Sequence, residues 1–153
     1  MRRSYPGVIV ALFISLSFCT SAGADSDAEN AVKFRHAVMN AMAGHTGAFS
    51  MIAFGTVDHP EFLQSHADAL ADMGAQIKVL FPAGSGGDES HAKPAIWEEP
   101  EKFSEAVTRA KKATAELRDA AATGDRKVIM NAFKAVGQAC KGCHESYREE
   151  HDH

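Results

Sequence analysis

Apolar and weakly polar residues recur at intervals of three and four along four stretches of the chain. The first is Ala31, Phe34, Val38, Met42, His45, Phe49, Ile52. The second is Leu63, Ala67, Leu70, Met73 or Gly74, Ile77, Leu80. The third is Phe103, Val107, Ala110, Thr114, Leu117, Ala121, and the fourth is Ile129, Phe133, Val136, Cys140, Cys143, Tyr147. Such spacing gathers side chains on one side of a helix and predicts four amphipathic helices, each with one face to bury. No stretch alternates with period two, so strands are not expected. The breaks agree. Gly55 to Pro60 separates the first two helices, with Asp58 a candidate N-cap and Pro60 early in the second. Pro82 to Pro100 is the one long connection and is rich in Gly, Ser and Pro. Gly124-Asp125 ends the third helix and is placed to cap the fourth. Short, long, short connections predict an all-α, antiparallel, up-down-up-down four-helix bundle with one extended crossing loop.

Ahead of these stripes the pattern is different. Arg2 and Arg3 precede an apolar run from Val8 to Phe18, and Ala22-Gly23-Ala24 supplies small residues in an A-x-A arrangement. In that order the three parts predict a secretory signal peptide over residues 1–24, leaving 25–153 as a single domain exported to the periplasm. The apolar run is too short for a stable membrane anchor, so no span is expected after cleavage. Cys19 as a lipidated residue is the weaker alternative, because Phe18 stands where a lipoprotein signal wants a small side chain.

Composition narrows the function classes. The chain has 153 residues, 45% hydrophobic and 24% charged, which suits one globular domain. A net charge of −4 argues against a nucleic-acid partner. No acid/base pair, nucleophile constellation or phosphate loop stands out, so an enzyme is not expected. Three cysteines are too few for a disulfide scaffold, and two of them lie in one motif.

That motif is Cys140-Lys141-Gly142-Cys143-His144, a C-x-x-C-H sequence, the pattern of c-type haem attachment. Two thiols add across the two haem vinyl groups, and the adjacent histidine reaches the iron. On a helix these residues stand at i, i+3 and i+4 and share one face. That face is the fourth stripe, so one haem would form part of the bundle core. A thioredoxin-like site expects a βαβ setting, and a structural zinc site expects four ligands. A plain disulfide leaves His144 without a role.

With these residues the chain resembles the cytochrome c′ family, the class II c-type cytochromes. Ala31-Val32-Lys33-Phe34-Arg35 resembles the start of the family's first helix. The stretch from Phe81 through Pro94-Ala95-Ile96-Trp97 resembles its loop and the opening of its third helix, and Val136-Gly137 through Tyr147-Arg148 its last helix. The resemblance implies a left-handed four-helix bundle, often a homodimer through the first two helices. It implies covalent haem c on Cys140 and Cys143, with His144 as the proximal iron ligand. It also aligns Met39 with the family's distal position. There the family divides. A low-spin subgroup, typified by cytochrome c-556, places a methionine sulfur on the iron and transfers electrons. High-spin members keep the iron five-coordinate and bind nitric oxide and carbon monoxide.

The leading expectation is a periplasmic one-electron carrier with His144 and Met39 on the iron; a His/Met pair raises the reduction potential. The alternative is an open iron that takes gas ligands, with Met39 an apolar lid. Met42, offset by a turn, is expected in the core. Arg35 is expected to contact a haem propionate or the haem edge, since its guanidinium suits a carboxylate; a solvated helix position is the plain alternative. Trp97 is expected to be structural, and His45 a buried, hydrogen-bonded histidine. Lys127, Lys134, Lys141 and Arg148 are either a positive face for redox partner proteins or a solvated surface.

Overall fold

The computed structural model describes residues 22–150. Most of the expected leader, and His151 and His153, lie outside the described residues. The chain forms α1 (Ala22–Ala53), α2 (Leu63–Gln76), a short α3 (Ala95–Glu98), α4 (Pro100–Thr123) and α5 (Arg126–Tyr147). Single 3-10 turns stand at Pro60–Phe62, Ile77–Leu80 and Asp88–Ser90. Among the described residues there is no strand; the nearest approach is an isolated antiparallel bridge between Ala92 and Arg148. The four-helix bundle expected from the stripes is the fold observed. No helix among the described residues is long and apolar enough to cross a membrane.

The core is built from the predicted faces. Phe49, Leu70, Leu80, Leu117 and Val136 are almost fully buried. Thr114 joins them because its hydroxyl bonds back to the Ala110 carbonyl. Gly74 lies against it: a Cβ at this position would strike the Thr114 hydroxyl, so α2 and α4 approach closely only because glycine stands there. The α4–α5 corner follows the sequence. Gly124 takes a left-handed φ of 67° and returns its N–H to Ala121. Asp125 Oδ1 then accepts from the N–H groups of Lys127 and Val128 at 2.8 and 3.1 Å. Asp125→Ala is expected to cost about 1 kcal/mol, the usual worth of an N-cap, read as a lower urea midpoint with an unchanged slope.

Two local expectations need correcting. Asp58 does not cap the second helix: Pro60 first opens a 3-10 turn, and the residue before it, His59, makes no side-chain cap bond. At the start of α1 the buried face is rotated from the apolar stripe. Phe34 is 55% exposed, whereas Arg35 is 2% exposed. The reason is tertiary: the loop after α2 folds over Arg35 and supplies acceptors for its guanidinium.

Candidate haem site

Cys140, Cys143 and His144 sit in the last two turns of α5, and one continuous helix fixes their i, i+3, i+4 relation. Both thiols are free and half-buried, packed against the bundle core. Burial raises the pKa of each; for Cys143 the neighbouring Cys140 adds to the rise and Arg109 opposes it. A structural zinc centre would need further ligands beside the two thiols, and no group of three or more His, Cys, Asp or Glu among the described residues is arranged to hold a metal ion. His144 follows on the same turn. Burial first, and then the Arg148 charge, lowers the pKa of its imidazole, which favours the neutral form that ligates metals. Tyr147 closes the end of this face, edge-on to Phe103 with ring centroids 5.2 Å apart; Phe103 meets Phe81 in the same way at 5.1 Å.

The side facing this motif is set by helix order. α5 packs mainly on α4, α4 on α2 and α2 on α1, while α1 touches α5 only lightly. Their aromatic meeting point is Phe133, stacked on Phe49 at 5.0 Å and edge-on to Phe54 at 6.3 Å. The two helices run antiparallel. Ten residues further along α5 from Phe133 is Cys143, and ten residues back along α1 from Phe49 is Met39. With the same rise per residue in both helices, Met39 is level with the motif. It is half-buried and packed against the core, as is Val38, and Met42 is 8% exposed and part of the core. The lightly packed seam, with thiols on one wall and aliphatic and thioether side chains on the other, fits a flat apolar macrocycle attached to α5.

The other polar groups of α1 near this level are engaged elsewhere. Arg35 Nη1 donates to the Leu80 carbonyl at 3.0 Å and to Ser85 Oγ at 3.1 Å, and Nη2 donates to the Ser85 carbonyl at 2.9 Å. Its guanidinium also lies 4.7 Å from the Phe81 ring centroid, a cation–π distance. Burial lowers its pKa. Three bonds leave two of its five N–H donors uncommitted. His36 stacks on His91 at 5.6 Å, and its Nε2 is 3.3 Å from the Ser90 carbonyl. His45, the histidine of the first stripe, is half-buried and paired with His66 of α2, with 2.9 Å between their Nδ1 atoms.

The connection from Phe81 to Lys93 is thus tied down from both sides. Arg35 holds its start, while the Lys93 N–H donates to the Tyr147 carbonyl and the Glu149 N–H to the His91 carbonyl. Trp97 is structural, its indole N–H donating to the Pro82 carbonyl at 3.1 Å. Ser85, fully buried, and His91, at a left-handed φ of 53°, are positioning residues that the stripes do not reveal. The Gly-rich composition of the loop is the only sequence signal near them. Lys127, Lys134, Lys141 and Arg148 are all exposed, and Lys141 is spent partly on Glu145 at 3.6 Å.

A family model described as Cytochrome C′ matches residues 30–148. The chain belongs to the cytochrome c′ family. It is 31% identical over 144 residues to the cytochrome c′ of Rhodospirillum rubrum, covering 94% of this chain and 97% of that protein. It is also 31% identical over 152 residues to a cytochrome c-554 of Cereibacter sphaeroides, covering 93% and 97% of the two chains. A solved nitric oxide complex of a variant cytochrome c prime from Alcaligenes xylosoxidans superposes with a TM-score of 0.75 at 28% identity, over 81% of this chain and 97% of that one. The cytochrome c′ family binds covalently attached haem c.

Proposed function

We propose that this protein is a periplasmic haem c protein that binds nitric oxide or carbon monoxide at an open iron face. In this reading residues 1–24 are the export signal, Cys140 and Cys143 hold the haem, and His144 is the protein's one iron ligand. When bound, the haem supplies an iron coordination position able to take a diatomic gas. The chain's own residues do the rest. α5 presents thiols and imidazole from one rigid face. α1 supplies Val38, Met39 and Met42 as an apolar wall that excludes water from the distal side. Arg35 fastens the loop over the end of the site, and its two uncommitted N–H donors are available to a propionate.

The observation that carries this reading is what α1 leaves available at the motif's level. Both of its nearby imidazoles are occupied, His36 by Ser90 and His91 and His45 by His66. Among the described residues of α1 at this level, Met42 is buried in the core and the Met39 side chain is packed against it, which makes both part of an apolar wall. The nitric oxide complex of a family member supports the same conclusion.

A second reading keeps Met39 on the iron and makes the protein an electron carrier for periplasmic redox partners. It is favoured by a half-buried thioether level with Cys143, the soft donor that a His/Met pair requires. One experiment separates the two. The ferric and ferrous spectra of the mature protein are expected to be high-spin, to shift on addition of carbon monoxide, and to keep their spin state in Met39→Ala. A low-spin spectrum indifferent to carbon monoxide, converted to high-spin by Met39→Ala, would overturn the open-iron reading and establish the second.

A further inference from the structure

His45 and His66 form a pair that the haem site does not use. One projects from the middle of α1, the other from α2, and the helix packing brings their Nδ1 atoms to 2.9 Å with ring planes at 62°. Both side chains are half-buried, so the pair is held by its surroundings and still reached by solvent. We propose that His45 and His66 form a binding site for one divalent copper or nickel ion, bridging α1 and α2.

The argument rests on geometry and donor chemistry. Two imidazole nitrogens that bind one first-row metal at about 2.0–2.1 Å and at right angles lie ~2.9 Å apart; at a tetrahedral angle they lie ~3.3 Å apart. The observed separation, set by a hydrogen bond between the two rings, coincides with the right-angle value, so a metal could enter with little movement of either ring. Adjacent positions at right angles belong to the square-planar and tetragonal geometries of Cu(II) and Ni(II), whereas a closed zinc site is tetrahedral and draws on four protein ligands. The described residues bring no third His, Cys, Asp or Glu to this pair, so water completes the coordination. Affinity in the series then follows the usual order, with copper tightest.

The proton inventory is simple. Between two neutral imidazoles facing through Nδ1, one ring holds its proton at Nδ1 and donates it to the other. Metal binding at both Nδ1 atoms requires the donor ring to carry its proton at Nε2 instead. No proton is released and no electron moves, so the step needs no co-reactant. Burial, with His45 next in effect, lowers the pKa of His66, which favours the neutral ligand form.

The test uses the mature haem-loaded protein and Cu(II) alone as the probe. Calorimetric titration of the wild type is expected to show one Cu(II) site that weakens at least tenfold in His45→Gln and in His66→Gln. His151→Gln/His153→Gln is expected to retain it. Unchanged affinity in both single variants, or loss of the site only in the tail variant, overturns the proposal. A second measurement needs no variant. One equivalent of Cu(II) is expected to protect His45 and His66 of the wild type from diethylpyrocarbonate, read by peptide mass. Undiminished modification of both residues overturns the proposal equally.

Discussion

Cys140→Ser/Cys143→Ser is expected to yield a chain whose haem is removed entirely by acid-acetone, while the wild type retains its colour. Each single variant should keep one thioether and shift the pyridine haemochrome band. The expectation follows from the covalent chemistry rather than from packing. Both thiols are free, both face the core, and no other cysteine lies among the described residues. Serine is close in volume and its hydroxyl can bond back to a helix carbonyl, so the α5 face should remain helical. Haem that resists extraction from the double variant would defeat the assignment of the motif. His144 acts separately: His144→Ala should leave the thioethers intact and change the iron spectrum. The two experiments therefore divide attachment from ligation.

The largest effect on stability is expected at Arg35. Its guanidinium is almost fully buried and donates three hydrogen bonds to Leu80 and Ser85 across a gap of 45 to 50 residues in sequence. Arg35→Ala strands three acceptors at once. Each buried group left unpaired costs roughly 1–3 kcal/mol, and bonds to a charged donor lie at the upper end, so a loss of about 3 kcal/mol is expected after the loop relaxes. For a domain of this size that is a fall of roughly 10 °C in melting temperature. The loss should be local in origin. Hydrogen exchange at Ser85, whose N–H donates to the Pro82 carbonyl, should accelerate before that of the α4 core. Arg35→Lys should recover little, because an ammonium cannot span the three acceptors held by a planar fork. A melting temperature within two degrees of wild type for Arg35→Ala would show that the loop is held by other means.

Arg35 also marks where sequence reading runs out. Along α1 the stripe favours Phe34 for burial, since hydrophobicity and period are the only signals that a lone helix carries. The chain instead buries Val32 and Arg35 and exposes Phe34. A buried arginine is stable only if acceptors are delivered to it, and these come from Leu80 and Ser85, which no local pattern links to position 35. The His45–His66 pair has the same origin. The stripe marks His45 as a hydrogen-bonded histidine but not its partner, and only the α1–α2 packing supplies His66. The capping error at Asp58 is smaller in scale: the sequence indicates a helix start near Pro60, but not that a 3-10 turn comes first.

What the sequence determined alone was whatever depends on residues close together in the chain. Helical period fixed four helices and the faces they bury. Gly124 and Asp125 fixed the α4–α5 corner through a left-handed glycine and a side-chain cap. Cys140, Cys143 and His144 fixed the common face of the C-x-x-C-H motif, because i, i+3 and i+4 on one helix leave no freedom in how they face. The tertiary structure decided whatever depends on residues far apart: that Met39 stands level with Cys143, that Arg35 binds the loop, and that His36 and His45 are turned to other partners. Short-range geometry is dictated by backbone hydrogen bonding, which every helix shares. Long-range geometry is set by which apolar faces meet and which buried polar groups find acceptors, and those choices are made only when the bundle packs.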